Sequence, residues 1–335
     1  MAKHPSSSKS PKPAPDQNNA IILEFDDNHL LAQLVGEHDR YLARIEQGLD
    51  VSVASRGNKM AITGSKDAQS AAKSALLDLY ARLKKGLDVT EGEVDGAIRM
   101  AGSAPAEDGS RGSVSGNSEM IVTKRRRITP RSTNQAVYVK SLRTHELVFG
   151  LGPAGTGKTY LAVANAVAML IENKVDRLIL ARPAVEAGEK LGFLPGDMRD
   201  KIDPYLRPLY DALYDMLPAE EVVKRLENGE IEVAALAFMR GRTLSNAAII
   251  LDEAQNTTPV QMKMLLTRMG VLDAFDALVR SGLHEAVDIL KGVKGIDFIH
   301  FGEADVVRHP LVTRIVKAYG EHDREKQLAL KSRKS

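Results

Sequence analysis

The eight residues GPAGTGKT, at positions 152–159, restrict this chain more than any other feature. They follow an apolar run, ELVFG, and open a long helical pattern, KTYLAVANAVAMLIEN. Strand, glycine-rich turn and helix is the setting that a phosphate loop of the type G-x-x-x-x-G-K-[ST] requires. Gly152, Gly155 and Gly157 let backbone N–H groups turn inward with no Cβ in the way. Pro153, Ala154 and Thr156 belong to the same cradle, and the helix N-terminus adds partial positive charge where an anion sits. Lys158 reaches the β- and γ-phosphates, and Thr159 offers its hydroxyl to Mg2+. A glycine-rich turn that binds nothing is the competing reading. The complete motif in this setting outweighs it.

Such a loop needs an acidic partner, an apolar strand ending in a carboxylate. AAIILDEAQNTTP supplies it at residues 247–259. Asp252 is expected to hold Mg2+ through its water shell, because Mg2+ keeps several waters. Glu253 is then placed to polarise the attacking water. Capping the next helix is the alternative role for these acids. Thr258, Pro259 and Gln261 already look like the N-cap, first turn and capping-box position of that helix.

Which base would be bound is less direct. NKVD, at residues 173–176, matches a guanine-selecting pattern, N-K-x-D. In small GTPases that pattern follows a late strand. Here it ends the helix after the phosphate loop, so it reads as a helix terminus and turn. Adenine is better served by Gln135 in ITPRSTNQAVY. A glutamine just upstream of the phosphate loop is similar to the helicase Q-motif, whose amide can pair with the N6 and N7 edge of adenine. A solvent-exposed glutamine is the alternative.

The rest of the chain arranges itself around this centre. Residues 1–19 are rich in Ser, Pro and Lys and are expected to be disordered. They have no apolar core, so they are not a secretory signal. Residues 20–100 read as a small α+β domain. It has a helical stretch, a hairpin around Gly57-Asn58, and a helix with Asp67 as its N-cap. A further helix follows the capping-box pattern TEGE. Residues 101–119 read as a flexible linker. The basic run KRRR, at residues 124–127, is read equally as a phosphate contact and as a solvated face. Residues 120–320 carry strand candidates at 146–150, 177–181, 231–236, 247–251 and 296–301, separated by helical patterns. That alternation implies a mostly parallel sheet covered on both faces. Residues 321–335 form a basic tail.

Composition sets outer limits. The 335 residues include 46 Lys or Arg and 44 Asp or Glu, so nucleic-acid contact depends on local basic patches. Aromatic residues are 4% and tryptophan is absent, which leaves few stacking surfaces for bases. With no cysteine, thiolate zinc sites and cysteine nucleophiles are excluded. The apolar run at residues 161–170 is too short to span a bilayer. A cytoplasmic protein with no membrane contact is expected.

The stretches LGPAGTGKTYLAVANAVAML, ARPAVEAGEKLGFLPGDMRDKIDPYLRPLYDAL, FMRGRTLSNAAIILDEAQNTTPVQMKMLLTRMG and DVVRHPLVTRIV together resemble bacterial PhoH-like proteins. The resemblance covers most of residues 120–320. Residues 20–100 resemble the KH-like domain of the longer, YbeZ-type members. The resemblance implies a RecA-like P-loop NTPase core related to helicase motors, ATP and Mg2+ binding, and a role linked to RNA. It also implies assembly into a homo-oligomeric ring, with a hexamer as the expected number, and association with the endoribonuclease YbeY. A KH fold clamps nucleic acid with a G-x-x-G loop. Here the turn reads GEHD, at residues 36–39, with an acid in place of the second glycine. RNA binding and a structural or protein-contact role both stay open.

Several arginines gain roles from the same resemblance. Arg182 ends the second strand at the edge where ligands sit. Arg240 and Arg242 precede the acidic strand. Arg308 opens the last helical segment and is expected to sense the γ-phosphate or to reach a neighbouring subunit as an arginine finger. A salt bridge is the alternative for each. Pro195, Pro204 and Pro208 are expected to break their segment into short helices that contact RNA or a neighbouring subunit.

One expected part is missing. PhoH-like cores have another strand after the acidic motif, ending in Thr-Gly-Asp near the γ-phosphate. Here LLTRMG is followed by VLDAFDALVRSGLHEAVDILKGVKG. Leu272, Phe275, Leu278, Val279, Leu283, Ala286, Val287 and Leu290 are spaced as one helix face. The missing stretch lies between Gly270 and Ser281. Its loss would strip two central strands of hydrogen-bond partners. Either the sheet closes up or borrows VLDAF as a strand, or the chain is a poorly folded deletion form or carries a reading-frame error. ATP binding therefore stands on firmer ground than hydrolysis. Three functions remain: a Mg2+-dependent ATPase in RNA metabolism, a nucleotide-binding scaffold for a ribonuclease without turnover, and a GTPase.

Overall fold

The computed structural model describes residues 20–102, 119–183, 198–239, 244–267, 269–270, 273–277 and 282–306. The expected tails, most of the expected linker, Pro195, Arg240, Arg242 and Arg308 lie outside the described residues. The chain divides into two compact units, Met1–Ser113 and Val114–Ser335.

The first unit runs β1 (Ile21–Glu24), α1 (Asn28–Val35), α2 (Arg40–Leu49), β2 (Ser52–Arg56), β3 (Lys59–Thr63), α3 (Lys66–Lys84) and α4 (Glu91–Gly102). Its antiparallel sheet has the order β1-β3-β2. The hairpin forms as expected, with Arg56 paired to Lys59 across Gly57-Asn58. Leu34, Ile45, Met60, Ile62 and Leu76 fill the core between sheet and helices. The N-cap of α3 differs from expectation: Ser65, not Asp67, accepts from the Ala68 N–H, at 3.3 Å. Asp67 sits instead in the first turn, where its charge favours the helix dipole. The GEHD turn separates α1 from α2. Gly36 holds φ 75°, and a Cβ there would lie 2.6 Å from the Tyr41 ring. His38 and Asp39 are both left-handed.

The second unit begins with the short antiparallel pair β4 (Ile121–Val122) and β5 (Arg127–Ile128). It continues with α5 (Thr133–Thr144), β6 (Leu147–Leu151), α6 (Lys158–Ile171), β7 (Arg177–Arg182), α7 (Met198–Met216), α8 (Ala219–Glu227) and β8 (Ile231–Ala235). Then come β9 (Leu244–Ser245), β10 (Ala247–Leu251), α9 (Pro259–Leu266), β11 (Met269–Gly270), β12 (Asp273–Ala277), α10 (Gly282–Leu290) and β13 (Ile296–His300). The main sheet has the order β13-β6-β12-β10-β7-β8. Every neighbouring pair in it is parallel. A parallel sheet is buried on both faces, which is why its strands read as continuous apolar runs. Val148, Leu178, Leu180 and Ile250 face a core shared with α5, α6 and α7. Phe149, Ile179, Ile249 and Leu251 face the opposite core, with Met262 and Leu265 of α9 and Leu283 of α10. Among the described residues no helix is long and apolar enough to cross a membrane.

Two expectations change here. The helix face expected from Leu272 to Leu290 splits in two. Asp273–Ala277 is a strand, while Leu283 and Ala286 lie buried on α10. Leu278 and Val279 lie outside the described residues. Strand β12 fills the middle of the sheet, Ala274 pairing with Val148 of β6 and with Ile250 of β10. Asp and Ala are poor strand formers, so the cause is not local propensity. Two central strands offer otherwise unsatisfied N–H and C=O groups, and that tertiary demand overrides the helical pattern.

The proline segment is the second change. Helix α7 is one 19-residue helix with Pro204 and Pro208 inside it. Each proline removes one backbone hydrogen bond and crowds the preceding turn. Leu206, Leu209, Leu213 and Met216 are buried against the core around α6, and that packing holds the helix together.

Candidate functional site

The carboxyl ends of β6, β7, β10 and β12 converge on one edge of the sheet, and the phosphate loop leaves β6 there. Its glycines are needed for different reasons. Gly152 has φ 147°, and a Cβ on it would lie 2.5 Å from the Phe301 carbonyl oxygen. Gly155 and Gly157 hold φ 83° and 82°, a region that side chains disfavour. Gly157 is also the N-cap residue of α6, so the first N–H groups of that helix open onto the loop. Thr156 is fully buried, and its hydroxyl donates to the Pro153 carbonyl at 3.1 Å. Lys158 is buried too. Its ammonium donates to the Gly152 and Pro153 carbonyls, both at 3.1 Å, so it lies across the mouth of the loop. Pro153 and Ala154 carry the turn between the first two glycines.

The acidic partner arrives from β10. Thr159 Oγ1 donates to Asp252 Oδ1 at 2.9 Å. Arg182, at the end of β7, puts Nη1 3.7 Å from the other Asp252 oxygen. Its Nη2 lies 3.7 Å from Glu253 Oε1. The same guanidinium donates to the Tyr205 carbonyl of α7 at 2.9 Å. Glu253 takes a left-handed backbone, φ 52° and ψ 39°, at the head of a short 3-10 turn, Ala254–Asn256. A non-glycine residue held there marks local strain of the kind found at functional sites. Gln255 donates to its other oxygen. The acids are free of capping duty, because Thr258 and Gln261 form a full capping box on α9.

These groups suit a nucleoside triphosphate with Mg2+. The loop turns on left-handed glycines at 155 and 157, and a buried ammonium spans its mouth. Thr159 and Asp252 offer a hydroxyl and a carboxylate, hard oxygen donors that Mg2+ prefers. Among the described residues no group of three or more His, Cys, Asp or Glu side chains could hold a metal. A divalent ion at Thr159 and Asp252 would keep coordination positions open for phosphate oxygens and water.

Gln135 is not a surface residue. It is 4% exposed, its oxygen accepts from the Arg131 N–H at 2.6 Å, and its amide donates to the Thr156 carbonyl at 2.9 Å. NKVD takes the place expected of a helix terminus and turn. Asn173 is left-handed after α6, and Asp176 binds Asn246 just before β7, at the edge opposite the phosphate loop. The basic run is largely committed within the unit. Lys124 pairs with Glu221 and Arg126 with Asp215, while the Arg125 side chain donates to the Tyr214 carbonyl near the end of α7.

Sequence reasoning missed two supports. Tyr160, one residue past Thr159, donates to Asp215 at 2.6 Å. Burial, and then that bond, pushes its hydroxyl well above the ordinary tyrosine range. Asp305 is buried and accepts from Asn134 at 2.9 Å and from the Gly302 N–H at 2.7 Å. It thereby ties the chain after β13 to α5. The carboxylate in FGEAD was the available signal for the second support.

In this sheet the phosphate-loop strand β6 and the acidic strand β10 are separated by one strand, β12. That order, with helices on both faces and GPAGTGKT at the carboxyl edge, defines a RecA-like P-loop NTPase fold. The family described as PhoH-like protein matches residues 127–320. A PhoH-like protein of Bacillus subtilis (strain 168) is 44% identical over 304 residues, 87% of this chain and 94% of its own. One from Mycobacterium leprae (strain TN) is 44% identical over 309 residues, 88% of this chain and 86% of its own. Protein PhoH of Escherichia coli (strain K12) is 42% identical over 205 residues, 57% of this chain and 58% of its own. The chain belongs to the PhoH-like family.

Proposed function

We propose that this chain binds ATP with Mg2+ at residues 152–159, hydrolyses it, and acts in RNA metabolism in the cytoplasm. The observation that carries the ATPase reading is the contact of Thr159 with Asp252, which joins the phosphate loop to the acidic strand. Loop amides and Lys158 grip the phosphates. Thr159 and Asp252 hold the metal, which when bound supplies charge compensation for the phosphate oxygens. Glu253 takes the proton of the attacking water. Arg182 offsets the repulsion between the two adjoining acids, and Arg308 is assigned to the γ-phosphate of its own or a neighbouring subunit. The opposite-edge position of Asp176 favours ATP over GTP.

A second reading, a nucleotide-binding scaffold without turnover, is favoured by β12. It ends in Asp276-Ala277 where family members carry Thr-Gly-Asp. RNA as substrate or partner, a ring of identical chains, and YbeY as partner rest on the family resemblance alone.

Phosphate release from ATP and GTP, with and without RNA, separates these readings, with Lys158→Ala as the blank. ATP turnover that the variant loses supports the ATPase. Binding without release selects the scaffold. Equal turnover by the variant overturns the catalytic assignment.

A further inference from the structure

We propose that Gln135 is a positioning residue that sets the phosphate loop from behind, and that it does not read the base. The inference rests on the nucleotide-binding reading above and deepens it.

The geometry is specific. Ser132 caps α5 and accepts from the Gln135 N–H at 3.2 Å, which places Gln135 at the third position of the helix. A glutamine there ordinarily reaches back to the N-cap N–H. Here its oxygen reaches one residue further, to the Arg131 N–H at 2.6 Å. That leaves the amide aimed at the loop, where it donates to the Thr156 carbonyl at 2.9 Å. The Thr156–Gly157 peptide is trans, as are all the described peptides. In a trans unit the C=O and the following N–H point in opposite directions. With the Thr156 carbonyl held toward Gln135, the Gly157 N–H is turned away from it, toward the concave side of the loop. Gly157 leaves no slack, since a Cβ there would lie 3.2 Å from the Gln135 amide nitrogen. The left-handed Gly157 and the buried amide therefore fix one of the two orientations of that peptide. The orientation they fix is the one that presents a donor to an anion.

This role predicts a pattern of affinities. A brace acts on the phosphate chain, which ATP, GTP and inorganic tripolyphosphate share. A base reader acts on ATP alone. Gln135→Glu keeps the acceptor for Arg131 but replaces the donor facing Thr156 with a second oxygen. Gln135→Met keeps the bulk and removes both bonds. Competition against a fluorescent ATP analogue, on the full chain with Mg2+, gives the three affinities. Melting without nucleotide reports on folding.

The expected result for Gln135→Glu is a loss of about tenfold for ATP, GTP and tripolyphosphate alike, as for one hydrogen bond. The ATP-to-GTP ratio stays at the wild-type value, and Gln135→Met loses at least as much. A loss confined to ATP overturns the proposal and makes Gln135 a base reader. Lower melting with unchanged affinities in both variants overturns it in favour of a plain helix cap. If the wild-type chain binds none of the three ligands, the nucleotide reading fails and this one falls with it.

Discussion

Thr159 and Asp252 lie 93 positions apart in the chain, yet the threonine hydroxyl donates to the carboxylate at 2.9 Å. The contact forms because α6 starts where β6 ends, and β10 stops at the same edge of the sheet. Breaking it at either end should remove metal dependence. Thr159→Ala or Asp252→Asn should leave nucleotide affinity nearly equal with Mg2+ and with EDTA, whereas wild type should bind far better with Mg2+. Titration of a fluorescent ATP analogue measures both.

Gly152 is the least replaceable glycine of the loop. Gly152→Ala forces a Cβ to within 2.5 Å of the Phe301 carbonyl oxygen, at a φ of 147°. Such strain costs about 1–3 kcal/mol. The variant should melt lower than wild type and lose nucleotide-induced stabilisation. Calorimetry with and without ATP reads both effects. Gly57, where a Cβ meets nothing within 4 Å, gives a control that should keep that stabilisation.

Arg182 counters two neighbouring acids. Removing one partner from a buried charge cluster costs on the order of 3 kcal/mol. Arg182→Gln should therefore melt well below wild type in EDTA. Part of the loss should return with Mg2+, which supplies the missing positive charge beside Asp252. A melting temperature unchanged in EDTA would show that the guanidinium contributes nothing there.

The legible part of this protein was its periodic part. The apolar runs near β6, β7 and β10 lie in strands buried on both faces, and those near β8 and β13 in partly buried edge strands, so their character is written locally. The phosphate loop, the acidic pair and the Thr258 capping box are likewise local, each needing only a few adjacent residues. The parts that local pattern misreads or leaves open, the strand borrowed from VLDAF among them, depend on distant partners. DAFDA has no strand character of its own and pairs because β6 and β10 flank it. Helix α7 survives two prolines because its leucines are buried. Gln135 looked like a surface residue or a base reader, because nothing nearby in sequence shows that Thr156 lies behind it.

Strand β12 gives its own prediction. Amides of residues 273–277 sit in a central parallel ladder, so they should exchange slowly in deuterium. Ala274→Pro removes a ladder donor from the middle of the sheet, a place where proline is not tolerated. Exchange should then accelerate in β6 and β10 as well. Rapid exchange of residues 273–277 in the wild-type chain would mean that the central strand is not formed.

The first unit carries a pH-sensitive contact. Lys84 and then Tyr80 hydrogen-bond Asp26 and hold its carboxyl down to about 2, from an ordinary value of 3.8. Their distances are 2.6 Å and 2.5 Å. The folded state thus favours the ionised acid. The stabilisation is complete above the ordinary value and is lost as pH falls toward 2. Asp26→Asn should flatten the fall in melting temperature between pH 4 and about 2. A variant with the same slope as wild type would remove Asp26 from the account.

Nucleotide-dependent melting tests the central claim most directly. ATP with Mg2+ at about a hundredfold excess over its dissociation constant should add about 2.7 kcal/mol of stability to the wild-type chain. Lys158→Ala, which removes the ammonium across the mouth of the loop, should show little or no shift under the same conditions. An equal shift in the variant, or none in the wild type, would contradict the site described here.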